Sequence, residues 1–169
     1  TVCRCLLEQL PDNVDVALML NPRVTALELL ASLCDELRIQ YAKDTTSIKL
    51  LIDVLNAYLL DTHARGRRAI LMIDEAQNLS AEALEEVRLL TNLETRKHKL
   101  LQVVLLGQPE LDRLLDSPAV RQLKQRITFS YQLSPLDRTG MQDYILHRLR
   151  KAGYAGPPIF TRGALSVLY

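Results

Sequence analysis

Apolar residues fall into two kinds of run along this chain, some spaced three and four apart and some continuous, and each kind predicts a different element. Val2, Cys5, Leu6 and Leu10 share one helical face until Pro11-Asp12-Asn13 breaks the pattern, so the chain opens on the end of a helix. Val14 to Leu20 is a short apolar stretch closed by Asn21-Pro22, which predicts a mostly buried strand. From Val24 to Ile39 the positions Leu27, Leu30, Ala31, Cys34 and Leu37 return to helical spacing. A second helix is predicted from Thr46, as its N-cap, to Thr62.

Arg65-Gly66-Arg67-Arg68 marks a turn, after which Ala69-Ile70-Leu71-Met72-Ile73 runs apolar without alternation and stops at Asp74-Glu75. A run of that kind predicts a strand buried on both faces with charge at its C-terminal end. Ser80, with Glu82 and Glu85 behind it, opens a helix to about Glu94 through a cap and an acidic first turn. After the solvated turn Arg96-Lys97-His98-Lys99 comes a second apolar strand, Leu100 to Leu106, ended by Gly107-Gln108-Pro109. A short helix is predicted over Pro109 to Leu115, helix again over Pro118 to Gln125, and an alternating strand over Ile127 to Leu133.

Strands separated by helices, at least two of them continuously apolar, predict an α/β fold: a three-layer arrangement with a parallel sheet covered on both faces. After Ser134-Pro135 the character changes. Thr139 to Lys151 is an amphipathic helix, Gly153 to Pro158 a loop, and a further helix starts at Thr161. The expected division is a core over 1–135 and the beginning of a helical second domain over 136–169.

Composition narrows the function. With 48% hydrophobic and 24% charged residues the chain matches a soluble globular domain, and 21 Lys and Arg against 20 Asp and Glu leave a charge of +1. No basic excess argues for wrapping a polyanion, so nucleic acid is not the default partner. Cys3, Cys5 and Cys34 form an odd set with no Cys-x-x-Cys pair or Cys/His cluster, which suits a reduced, cytoplasmic chain. No apolar run approaches the roughly 18 to 20 residues of a membrane span. The chain starts at Thr1 and stops at Tyr169 inside helical patterns, and we expect it to be a piece of a longer protein.

Three strand-end features carry candidate chemistry. Asp74 and Glu75 follow a buried strand at the edge where α/β proteins bind ligands. In a nucleotide hydrolase the first acid holds Mg²⁺ and the second orients or deprotonates the attacking water; alternatively, the strand ends in solvent with two idle charges. Gln108 lies at the matching edge of the next strand, where an amide can position the same water, or can serve only a turn between Gly107 and Pro109. Arg126 precedes the Ile127 strand and Arg121 lies on the preceding helix; either can act as an arginine finger toward a neighbouring subunit, or be solvated. His63, His98 and His147 are scattered with no second ligand at zinc spacing, and no serine sits in a G-x-S-x-G elbow. The basic clusters 65–68, 96–99 and 148–151 read as solvated faces, with docking to a partner subunit or DNA as the alternative.

Taken together, LMIDEAQNLS (71–80), VVLLGQPEL (103–111), QLKQRITFSYQLSPL (122–136) and YILHRLRKAG (144–153) resemble the AAA+ ATPases, and more narrowly the ExeA-type family of general secretion pathway protein A and MSHA pilus biogenesis protein M. The resemblance implies a P-loop NTPase core over 1–135 followed by the start of a helical lid. It also implies ATP and Mg²⁺ as ligands, with Asp74 and Glu75 as Walker B, Asp74 on the metal, Gln108 as sensor 1 and Arg126 as the finger. It suggests a homo-oligomer that couples ATP turnover to secretion or pilus assembly proteins, with the cytoplasmic face of the inner membrane as the place of the full-length parent. One departure matters: the G-x-x-x-x-G-K-[ST] loop that cradles phosphates is absent from these 169 residues, as is a Gly-x-Pro-Arg sensor 2 motif. The expectation is therefore an ATPase parent and a segment that alone turns over ATP weakly or not at all. The rivals are a DNA-associated AAA+ regulator of the transposition type and a non-catalytic structural module.

Overall fold

A computed structural model describes residues 2–20, 22–157, 159–161 and 163–165. Residues 1–128 and 129–169 form two compact units. In the first, helix α1 (Val2–Gln9) leads to strand β1 (Val14–Met19), followed by α2 (Ala26–Glu36), α3 (Ile48–Ala64), β2 (Arg68–Ile73), α4 (Ala81–Leu90) and β3 (Leu101–Leu105). Then come α5 (Glu110–Leu115) and α6 (Arg121–Lys124). Among the described residues the strands make one parallel sheet in the order β1-β2-β3, with Val14 opposite Arg68, Met19 opposite Ile73, and Ile73 opposite Leu105.

The continuous apolar run of β2 is explained by its central place. Ala69, Leu71 and Ile73 face a core built with Leu29, Leu30 and Leu33 of α2, Leu51, Leu55 and Leu59 of α3, and Leu84, Val87 and Leu90 of α4. Ile70 and Met72 face the other way, against Cys3 and Leu7 of α1 with Val16, Leu18 and Val104. A strand with helices on both faces has no polar side, which is why alternation is missing there. The three-layer α/β reading is what the structure shows.

Helix starts follow local chemistry. Thr25 and Glu28 form a reciprocal capping box at the head of α2, with the Thr25 N–H donating to Glu28 at 2.8 Å. Ser80 accepts from the Ala83 N–H at 3.1 Å ahead of α4, as expected. The cap of α3 is Ser47 rather than Thr46: its hydroxyl accepts from the Leu50 N–H at 3.3 Å. Helix α4 stops at Leu90, short of Glu94, because Thr91 caps it and Glu94 turns back to bridge Lys99.

One predicted element is absent. Residues 127–133 form no strand, and Phe129, Tyr131 and Leu133 are 91%, 87% and 66% exposed. Alternation prepares a segment for a half-buried ladder, but a strand also needs a neighbour to take its N–H and C=O groups, and no strand pairs with it among the described residues. In the second unit, α7 (Arg138–Lys151) starts at Asp137, whose carboxylate accepts from the Gly140 N–H at 2.7 Å. It ends ahead of Gly153 at φ +84°, a left-handed position that suits a residue without Cβ. Residues 163–165 continue the predicted Thr161 helix, the rest of which falls outside the described residues.

Candidate active site at the C-terminal edge of the sheet

The backbone at the end of β2 is tied on both sides. The Asp74 N–H donates to the Met19 carbonyl at 2.8 Å, the Leu106 N–H to Ile73 at 2.8 Å, and the Ala76 N–H to Leu106 at 2.9 Å. These bonds carry the sheet one step past the strand ends and fix where Asp74 and Glu75 stand. Glu75 lies in the left-handed region, at φ 54° and ψ 39°, although it carries a Cβ. Such a conformation costs free energy and persists only where the surroundings impose it. Here the Glu75 N–H donates to Asp74 Oδ1 at 3.0 Å, and a single 3-10 turn, Ala76–Asn78, starts immediately after.

Two carboxamides converge on the Glu75 carboxylate. Gln77 Nε2 donates to Glu75 Oε2 at 2.6 Å, and Gln108 Nε2 reaches the same oxygen at 3.4 Å. The other end of the Gln77 amide accepts from the Gln108 backbone N–H at 3.2 Å. The ends of β2 and β3 are thus joined through one glutamine, and the Glu75 side chain is held in place by groups that bear no charge. Gly107 is part of this arrangement: a Cβ there would lie 2.6 Å from Gln77 Oε1 and 3.0 Å from Leu111 Cδ2. Only glycine lets the turn approach Gln77 so closely.

The structure therefore brings three of the predicted residues, Asp74, Glu75 and Gln108, to one edge. Arg126 is not among them. Its guanidinium donates to Thr91 Oγ1 at 3.1 Å and to Asn92 Oδ1, at the C-terminal end of α4. Gln77 escaped the sequence reading; the signal available was a carboxamide two places after Glu75 in DEAQ. Cys3 of α1 lies against Asp74, where burial and then the carboxylate push its thiol above the ordinary value. Burial also pushes the Cys34 thiol up, to about 11, so neither is a ready nucleophile. Among the described residues no group of three or more His, Cys, Asp or Glu could hold a metal, and no helix is long and apolar enough to cross a membrane.

Comparison with known proteins bears on the family and the fold. A family model described as an AAA domain matches residues 1–115. General secretion pathway protein A of Aeromonas hydrophila is 50% identical over all 169 residues, and the chain spans 30% of that relative's length. Among solved structures, Cdc6p from Pyrobaculum aerophilum superposes with a TM-score of 0.64 at 17% identity, over 88% of this chain and 39% of that one. The Aeropyrum pernix ORC2 protein in its ADP form gives 0.61 at 15% identity, over 88% and 39%. At such identities these structures speak for the P-loop NTPase fold alone.

Proposed function

The chain belongs to the AAA domain family, and from that premise we propose that the edge carrying Asp74, Glu75, Gln77 and Gln108 is the hydrolytic edge of an ATPase domain within a longer, secretion-type protein. The observation that supports it most is the joint hold of Gln77 and Gln108 on one Glu75 oxygen, at 2.6 and 3.4 Å. An idle acid at a strand end needs no such support, whereas a water-orienting carboxylate must stay within tenths of an ångström of its place.

Asp74 and Glu75 offer hard carboxylate oxygens, the donor type Mg²⁺ takes, so the residues present fit a magnesium nucleotide. Asp74 would hold the ion, directly or through water. Bound there, the nucleotide supplies the phosphoryl group to be cleaved and the metal neutralises charge on its oxygens. Glu75 accepts a hydrogen bond from the attacking water and so aims it. Gln77 acts through Glu75 as a positioning residue, while Gln108 presents its amide to Glu75 and to the same space. These residues supply the metal and water ends of a site; the phosphate cradle must come from a G-x-x-x-x-G-K-[ST] loop, which these 169 residues do not contain. This segment alone is accordingly expected to turn over ATP weakly or not at all.

Arg126 is the proposed finger toward a neighbouring subunit, for which it must leave Thr91 and Asn92. The longer protein is proposed to work as a homo-oligomer at the cytoplasmic face of a membrane, joined to secretion or pilus assembly proteins. Its 50% identity with general secretion pathway protein A favours that role over a DNA-associated one.

The test is calorimetry with Mg-ATP on this chain and on the natural chain extended upstream by about 40 residues, the length of a strand, loop and helix start. Binding by the extended chain alone is expected. Absence of binding by both would refute the ATPase reading and leave a structural module.

A further inference from the structure

The opposite end of the sheet gathers cations. Two of the basic clusters in the sequence, 65–68 and 96–99, meet there around a cleft of about 180 Å³ lined by His63, Arg67, Arg68, His98, Lys99 and Gln102. The cleft is formed by the end of α3, the first residues of β2 and the turn leading into β3. Strand β2 is six residues long, so roughly 20 Å of sheet separates the cleft from Asp74. The volume is below the roughly 300 Å³ at which sites for drug-sized ligands begin, which selects a small ion.

Not every cation in this cleft is available. Arg67 is bound to Asp15, through Nε at 3.1 Å and through Nη2, and Lys99 is paired with Glu94. Arg68 forms no ion pair among the described residues. Nor does either imidazole donate or accept a side-chain hydrogen bond there; the His63 and His98 rings face each other instead, with centroids 5.4 Å apart and planes tilted by 43°. Both rings and the Arg68 guanidinium line this one cleft, and an imidazole N–H and a guanidinium are hydrogen-bond donors to an anion. A tetrahedral oxyanion answers all three groups at once: the guanidinium fork takes two oxygens and each ring N–H takes one.

We propose that this cleft is a binding site for a phosphate dianion, held by Arg68, His63 and His98, with Arg67 and Lys99 at its rim committed to Asp15 and Glu94. It is separate from the nucleotide edge and does not depend on it. Two sources share this chemistry, free phosphate and the headgroup of an acidic lipid, and the experiment separates them.

Diethylpyrocarbonate modifies accessible imidazoles, and peptide mass spectrometry reads His63, His98 and His147 separately in the intact protein. Inorganic phosphate is expected to slow modification of His63 and His98 about tenfold at ten times its half-protecting concentration, as mass action requires, and to leave His147 on α7 unaffected. The protection is expected to vanish in Arg68→Gln and to persist in Asp74→Asn. Protection confined to vesicles of phosphatidylcholine carrying phosphatidic acid, without an effect of inorganic phosphate, assigns the site to a lipid headgroup; protection by inorganic phosphate in bulk solution assigns it to the free ion. Equal protection by chloride at matched ionic strength, persistence in Arg68→Gln, loss in Asp74→Asn, or no protection by either source overturns the proposal.

Discussion

The two ends of strand β2 share one core and differ in everything that projects from it. At the C-terminal end, neutral donors hold the carboxylates: the Glu75 N–H serves Asp74, and Gln77 joins Glu75 to the Gln108 backbone at 2.6 and 3.2 Å. At the N-terminal end, charge is held by charge: Asp15 takes Arg67 and a 2.9 Å hydrogen bond from the Tyr58 hydroxyl, and Arg68 and two histidines are left over. The difference follows from the physics of each arrangement. An amide clamp fixes a carboxylate through neutral donors, so Glu75 is held in place with no ion pair among the described residues. An ion pair consumes the charge it holds, so whatever remains unpaired becomes the recognition element. A buried strand concentrates its polar side chains at its ends because the interior has no place for them.

The contrast can be broken at several points. The largest effect is expected at Glu75. In the parent protein carrying its phosphate-binding loop, Glu75→Gln should retain Mg-ATP binding and lower turnover by at least about 100-fold, within the range for removal of a positioned general base; undiminished turnover in a steady-state assay removes Glu75 from that role. Gly107→Ala comes next. The added Cβ would displace Gln77 from Glu75, and a misplacement of that order lowers turnover by roughly 10- to 100-fold with nucleotide affinity little changed. Should kcat hold while only thermal stability falls, the clamp is structural.

Glu86 of α4 tests whether charge is tolerated away from either end. It is 7% exposed, its Oε1 has no hydrogen-bond partner, and burial followed by the neighbouring Glu85 charge raises its pKa above the ordinary carboxyl value. Because the folded value is raised, the ionised form opposes folding: stability is fullest below the ordinary value and falls as pH rises through the folded one. Glu86→Gln is expected to stabilise the protein by about 1 kcal/mol at pH 7, a gain that shrinks on acidification, as paired melting curves at two pH values will report. A variant that melts lower than wild type at pH 7 contradicts this.

Asp15→Asn probes the paired side of the basic end and should have the smallest effect. The Arg67 guanidinium, aided by the Tyr58 hydroxyl, holds the Asp15 carboxyl below its ordinary range. A depressed folded value means that its stabilisation is present above the ordinary carboxyl range and is lost as pH falls through the folded value. Wild type should therefore melt a little above Asp15→Asn at neutral pH and converge with it in acid. A gap that persists unchanged in acid would assign the effect to packing.

Much of this was legible in the residues. The run 69–73 announced a strand buried on both faces, and its stop at Asp74-Glu75 announced the edge that the structure displays. Gln108 was legible because it sits at the same offset on the next apolar strand. Gln77 was not, since a carboxamide two residues after an acid has many uses until Gly107 comes near enough to leave no room for a Cβ. The 127–133 segment misled because its alternation is real but no strand pairs with it among the described residues. His63 and His98 looked scattered at a separation of 35 positions, and only the pairing of β2 with β3 makes them neighbours.

Periodicity, caps and composition determined the α/β class and the residues at the strand ends, because hydrophobic burial and local hydrogen bonding are read within a few neighbouring positions; the family was legible only as a resemblance of whole motifs. Tertiary structure alone decided the left-handed Glu75, the glutamine that holds it, the site of Arg126 against α4 and the union of two basic turns. Those contacts join residues 31 to 35 positions apart, apart from the local Glu75–Gln77 bond. Whether such pairs meet depends on strand order and register, which no short window of sequence contains.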